Sequence, residues 1–264
     1  CAAIRASPER GTMAAMQRAL LITGASRGIG AATARLAAER GWDVAVNYLR
    51  DADAAAEVVE QVRARGRRAI AIQADQSVEA DVLRLYAAVD REFGATLGGL
   101  VNNAGIVDVA ARLQAMSAER MTRMFAVNAI GPMLCAREAV RRMSTRHGGA
   151  GGVIVNVSSA AARGGGANQY VDYAASKGAI DTFTIGLAKE VAAEGIRVNA
   201  VRPGITDTEI HASGGQPDRA WQLAPQIPMQ RPGTAEEIAH AIVWLLSDEA
   251  SYTTGALLDV GGGR

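Results

Sequence analysis

Residues 18–23, RALLIT, form a short apolar run that leads directly into TGASRGIG at 23–30, and the helix-prone AATARLAAER at 31–40 follows. This junction constrains the fold more than any other stretch. An apolar run of that length suits a buried strand, and Ala, Leu and Arg favour helix. Strand, glycine turn and helix in that order present free helix-start amides and a partial positive charge to a phosphate. Gly24, Gly28 and Gly30 permit the tight turn and the close approach of a ligand to the backbone. Ser26, Arg27 and Ile29 lie between them. The spacing is Gly-x3-Gly-x-Gly, not G-x-G-x-x-G, and an ordinary strand-to-helix turn could use the same residues.

The rest of the chain repeats the alternation. Strands are predicted near 18–23, 43–47, 68–73, 98–102, 152–157, 196–201 and 256–259. Helices are predicted near 28–40, 52–65, 79–92, 117–145, 171–194 and 235–247. Runs such as GVIVNV are almost wholly apolar, as a parallel sheet covered on both faces requires. The expectation is an α/β fold, a Rossmann-like doubly wound parallel sheet of about seven strands. Residues 18–264 read as one catalytic domain. The Gly/Pro-rich segment between the sixth strand and the last helix, near 205–231, is long enough to be a lid. Residues 1–17 read as a loosely ordered leader, with Met13 or Met16 as the natural start.

Composition narrows the function classes. A net charge of +1 over 264 residues makes no electrostatic case for nucleic acid or an acidic membrane surface. No stretch reaches the length of a membrane span. Two cysteines, Cys1 and Cys135, make no disulfide framework. The three histidines, His147, His211 and His240, lack metal-ligand spacing, so no metal is expected. The expected location is cytoplasmic.

Chemistry enters with Tyr173 and Lys177 in YAASK. Residues i and i+4 of a helix share a face. An ammonium beside the phenol lowers a tyrosine pKa that is ordinarily near ~10. That makes the tyrosine a usable acid or base at neutral pH. A ring packed on a lysine stem would look the same in isolation.

Taken in order, TGASRGIG, Asp75, NNAG at 102–105, Asn128, VNVSSA at 155–160, YAASK, RPG at 202–204 and LLDVGGG at 257–263 cover nearly the whole chain. In these motifs the sequence resembles the single-domain short-chain dehydrogenases/reductases. Through YVDYAASKGAIDT and IPMQRPGTAEEIA it is most similar to the glucose-dehydrogenase-like and 3-oxoacyl-carrier-protein-reductase-like branch. The resemblance implies hydride transfer between a nicotinamide and a carbonyl or alcohol. In that scheme Tyr173 exchanges the proton. Lys177 tunes the tyrosine and holds the nicotinamide ribose. A serine steadies the substrate oxygen, and Asn128 places a water that links the lysine to solvent. The family usually sets its serine one residue nearer the tyrosine than Ser159 stands here, and two nearer than Ser158. Ser159 is the better match, and Ser158 is expected to bond to backbone. The resemblance also places Asp75, Gln76, Asn103, Ala104, Gly105, Pro203, Gly204, Thr206 and Thr208 around the cofactor, with Asp75 equally readable as a helix-start acid.

At the end of the second strand, VAVNYLR carries Asn47, Tyr48 and Arg50 where an NAD-selective chain places an acid. With Arg27, these residues point to NADP(H) over NAD(H), though NAD(H) stays possible and Asp51 and Asp53 oppose the positive field. Tyr48→Asp with Arg27→Ala is the change expected to reverse the order. A catalytically silent NADP-binding regulator on the same fold is the alternative. A sugar-nucleotide epimerase also carries Tyr-x3-Lys, but too few residues follow Pro203 for its larger C-terminal domain. Val107, Gln169, Tyr170, His211, Trp221 and Met229 are candidate substrate contacts. By resemblance the assembly is a homotetramer joined through 117–145, 171–194 and 251–263.

Overall fold

The computed structural model describes residues 18–94 and 97–264. The expected leader, residues 1–17, lies outside them. Seven parallel strands form one sheet: β1 (Ala19–Ile22), β2 (Asp43–Tyr48), β3 (Ala69–Gln73), β4 (Leu97–Asn102), β5 (Gly152–Val157), β6 (Ile196–Pro203) and β7 (Leu257–Val260). Their order is β3-β2-β1-β4-β5-β6-β7. The direction of winding reverses between β1 and β4, and the crevice above that reversal is where such sheets bind ligands.

Helices cover both faces, as the apolar strands demand: α1 (Gly28–Glu39), α2 (Ala52–Arg63), α3 (Glu79–Phe93), α4 (Ala118–Phe125), α5 (Gly131–Met143), α6 (Ala161–Gly164), α7 (Val171–Val191), α8 (Ile210–Ser213), α9 (Arg219–Gln222) and α10 (Ala235–Leu246). One core packs α1, α2 and α10 on Leu20, Ile22, Val44 and Val46. The opposite core packs α3, α5 and α7 on Leu21, Ala45, Leu100 and Ile154. Alternate residues of β1 and β2 thus feed opposite cores, as strand geometry requires.

Two local features differ from a simple reading of the sequence. The helix expected over 117–145 is interrupted by a π-turn at Ala126–Ile130, where the Gly131 amide reaches the Ala126 carbonyl five residues back. Turns of this kind often mark functional sites. The irregular stretch after β6 contains the short helices α8 and α9. It ends at a capping box. Thr234 Oγ accepts from the Glu237 amide, and the Glu237 carboxylate accepts from the Thr234 amide. Such a cap is worth about 1 kcal/mol. Arg231 also binds Glu237, and it is the main cause holding that carboxyl down at about 2. Among the described residues no helix is long and apolar enough to cross a membrane.

Candidate active site

The strand ends open into one cleft of about 1650 Å³. At its floor the glycine loop is pressed onto the NNAG segment. Gly24 holds φ +61°, and a Cβ there would sit 2.8 Å from Ala104 Cα. A Cβ on Gly30 would meet the Gly24 carbonyl at 2.5 Å and Asn103 Nδ2 at 2.6 Å. Asn103 Nδ2 donates to the carbonyls of Thr23 and Gly24, and Thr23 Oγ1 accepts from the amides of Asn103 and Ala104. Gly30 and Asn103 thereby fix the loop. Ser26, Arg27, Gly28 and Ile29 line the opening. No side chain caps the start of α1, so its first amides face the cleft uncapped by the protein. A close-approach glycine loop at an uncapped helix start fits a dinucleotide phosphate.

Asn47 does not face a ribose as expected. It is buried, its Oδ1 accepts from the Gly24 amide, and its Nδ2 donates to the Ile72 and Ala74 carbonyls. It clamps the glycine loop to β2 and β3. Successive strand residues point to opposite faces, so Tyr48 packs on the α1/α2 core and does not line the cleft. The residues that do line it beyond β2 are Leu49, Arg50 and Asp51. Arg50 and Arg27 are exposed. The Asp51 carboxylate caps α2 through the Ala54 amide.

The other expected cofactor residues divide in the same way. Asp75 lines the cleft, but its Oδ1 accepts from the Ser77 amide and hydroxyl, the turn-forming use weighed above. Gln76 donates from Nε2 to the Ala104 and Val127 carbonyls, bridging the NNAG segment to the π-turn. Pro203, Gly204, Thr206 and Thr208 all line the cleft, as do Ala104 and Gly105. Gly204 is also a packing glycine, since its Cβ would fall 2.6 Å from Gly261 Cα in the tail.

Ser159, Tyr173 and Lys177 meet in the cleft wall. β5 delivers the serine at its carboxyl end, and the first two turns of α7 deliver the other two. The Ser159 side chain lies beside Tyr173 and favours the ionised phenol. Ser158 instead donates to the Lys177 carbonyl. The Lys177 ammonium donates to the Val157 carbonyl at 2.8 Å and lies 5.8 Å from the Tyr173 ring centroid. Burial pushes the lysine down to about 8, opposed by Asp181. Burial raises the tyrosine above its ordinary value, with the Ser159 side chain pulling the other way. The expected lowering of the phenol by Lys177 is absent in this arrangement. One of the three ammonium N–H groups goes to a backbone carbonyl, the nitrogen lies toward the ring rather than the hydroxyl, and desolvation of the phenolate dominates.

Asn128 lies behind the wall, in the π-turn. Its Oδ1 accepts from the Ile106 amide, and its Nδ2 donates to the Ile106 carbonyl, with Ser176 Oγ and Met124 Sδ also in reach. The carboxamide thus anchors the Ile106 backbone to the π-turn. It comes close to the lysine only across Gly105, whose Cβ would sit 3.3 Å from Asn128 Oδ1 and 3.4 Å from Lys177 Nζ.

One pair at the site carried no local sequence signal. Arg120 of α4 binds the buried Asp172 carboxylate through Nε at 2.8 Å and Nη2 at 3.3 Å, and donates from Nη1 to the Val109 carbonyl. Asp172 Oδ1 also accepts from the Tyr173 amide. The pair ties the start of α7 to the loop after β4. Asp172→Asn should cost about 1.5–3 kcal/mol, the worth of charged hydrogen bonds. A thermal melt should show a fall of several degrees, at about 2–4 °C per kcal/mol. An unchanged midpoint would show that the pair does not hold α7.

Of the candidate substrate contacts, Val107, Gln169 and Tyr170 line the cleft. Trp221 and Met229 do not. Trp221 is exposed and donates to Asp207, while Met229 is exposed beside the glycine tail. His211 falls within α8. Arg219, absent from the sequence expectations, lines the cleft.

The fold and the cleft define a nicotinamide-dependent oxidoreductase of the dinucleotide-binding α/β class, and comparison with known proteins agrees. The sequence model of the family described as enoyl-(acyl carrier protein) reductase matches residues 24–264. The chain is 54% identical over 244 residues to the uncharacterized oxidoreductase YgfF of Escherichia coli, covering 92% of this chain and 98% of that one. It is 37% identical to glucose 1-dehydrogenase 2 of Bacillus subtilis, covering 92% and 93%. Its fold superposes, at a TM-score of 0.84 and 33% identity, on a blue fluorescent protein from a metagenomic library in complex with NADPH, covering 93% and 97%. The chain belongs to the short-chain dehydrogenase/reductase family, and its reaction class is hydride transfer at carbonyl and alcohol carbons.

Proposed function

We propose that this chain reduces a ketone or aldehyde with NADPH, and oxidises the alcohol in reverse, in the cleft walled by Ser159, Tyr173 and Lys177. The observation that carries the reading is that Ser159, Tyr173 and Lys177 line one wall of the cleft, with Lys177 one turn further along α7 than Tyr173. The bound nicotinamide supplies the hydride chemistry. The protein does the rest. Burial keeps Tyr173 protonated, so its hydroxyl is a donor ready for the oxygen of a carbonyl being reduced. The Ser159 hydroxyl steadies the charge developing on that oxygen. Lys177, held by the Val157 carbonyl, is the cation that can bind ribose hydroxyls. Asn128 acts as a positioning residue, keeping the Ile106 backbone against this cluster. The stretch 205–231, whose Thr208 and Glu209 come close to Gly28, serves as the lid. NADPH oxidation that depends on an added carbonyl, from a panel that also includes an enoyl thioester, tests the reading. Consumption driven only by the enoyl compound would overturn it.

Arg27 and Arg50 support the preference for NADP(H). Both are exposed at the cleft edge, and no ion pair among the described residues includes either. Since Tyr48 faces the core, Arg50→Asp is the better reversing change. Arg27→Ala with Arg50→Ala should weaken NADPH by about tenfold or more, at 1.5–3 kcal/mol per charged hydrogen bond, and leave NADH nearly unchanged. Fluorescence titration decides; equal losses for both cofactors would refute the assignment.

A homotetramer of dihedral symmetry is also proposed. Phe125 and Ile130 flank the π-turn, Ile185 lies on α7 and Tyr252 precedes β7, and all four are exposed. They fall in the three regions expected to join subunits. Light scattering should give four times the chain mass; a single monomeric species would refute it.

A further inference from the structure

Arg219, on α9, lines the cleft and is held there by neutral partners alone. Its Nη1 donates to Gln216 Oε1 at 3.0 Å, and its Nη2 donates to Gln169 Oε1 at 2.9 Å. Its guanidinium lies 5.0 Å from the centroid of the Tyr170 ring. No ion pair among the described residues includes it. Arg123 and Glu209 also line the cleft, and no ion pair among the described residues includes either. Arg163 pairs with Asp259. Asp108 accepts from the Val109 amide and acts on Arg120.

A guanidinium has five N–H donors. Two are used on the glutamines, and three remain. The stacking on Tyr170 and the two amide contacts fix its plane in advance, which lowers the ordering cost of binding. Tyr170 immediately precedes α7, three residues before Tyr173, and both tyrosines line the cleft with Arg219. Val107, Ala167 and Ile210 give the same cleft an apolar lining.

We propose that the substrate carries a carboxylate, received by Arg219 while its carbonyl meets Tyr173 and Ser159, the two groups being joined by an apolar span. This rests on the reading of the cleft as a carbonyl reductase site. A planar carboxylate matches the fork of an arginine bidentately, and such pairs are stronger than neutral hydrogen bonds.

The test uses the full chain with NADPH and (ω−1)-oxo acids of increasing length, from 4-oxopentanoate to 7-oxooctanoate, against their methyl esters. At one length the acid should exceed its ester in kcat/KM by about tenfold or more, through KM, since one charged hydrogen bond is worth that factor. Arg219→Gln should bring the acid-to-ester ratio to about one, and Arg219→Lys should restore part of the preference. Esters favoured at every length, or an acid preference that survives Arg219→Gln, would overturn the proposal. Turnover of neutral ketones that Tyr173→Phe abolishes stands as a separate control. If it is present without acid preference, only the carboxylate assignment fails; if no carbonyl is turned over, the underlying reading fails.

Discussion

Tyr173→Phe should lower turnover by about 10²–10⁴-fold, the usual contribution of a positioned proton donor, while NADPH binding stays close to that of the unmodified chain. The ring fills the same space, and only the hydroxyl beside Ser159 is lost. The Lys177 ammonium is held independently by the Val157 carbonyl, so the cofactor side of the wall is kept. Single-turnover kinetics on any carbonyl the protein reduces, paired with a binding titration, checks both halves. A variant that kept near-normal turnover would remove Tyr173 from the mechanism. A variant that lost NADPH binding as well would show that the hydroxyl matters for architecture first.

Lys177→Met should abolish most turnover and also change how stability depends on pH. Lys177 is one of only two lysines in a chain with 28 basic residues, so arginine is the usual cation here. Burial holds its pKa at about 8, below the ordinary 10.5. Below pH 8 the folded and unfolded states both carry the proton, and the cost of burying the charge is fully present. Between 8 and 10.5 the unfolded chain binds more protons, so stability conferred at this site rises with pH. At 1.36 kcal/mol per unit, the rise is roughly 3 kcal/mol. Methionine has no such titration. Denaturant melts of both proteins at several pH values should therefore show the unmodified chain gaining on the variant between pH 7 and pH 10.5. A constant difference would mean that the ammonium is solvated in the folded protein.

The strands and most helices were legible because a doubly covered parallel sheet leaves nearly continuous apolar runs, as in β5. The site's chain order was legible through the resemblance, and Ser159, Tyr173 and Lys177 do come together at the cleft wall. What escaped depends on tertiary geometry. Asn47 and Tyr48 are adjacent in sequence, yet their strand parity gives one to the loop clamp and the other to the core. The lysine's effect on the tyrosine was predicted from the i, i+4 spacing alone, which says nothing about desolvation or about the Val157 carbonyl that binds the ammonium. Arg120 meets Asp172 across 52 positions, and no local pattern signals such a pair. Trp221 and Met229 lie in the long segment after β6 but outside the cleft lining, and position in that segment alone does not say which of its residues face the cleft.

The central claim is that this cleft moves a hydride between nicotinamide and a carbonyl carbon under the control of Tyr173. The most direct measurement supplies NADPH deuterated at the transferring carbon of the nicotinamide, together with a panel of ketones, and analyses the products by mass spectrometry. The account predicts an alcohol that carries deuterium on its carbinol carbon, formed by the unmodified chain and almost absent with Tyr173→Phe. Unlabelled alcohol, or labelled alcohol formed at the same rate by both proteins, would contradict it.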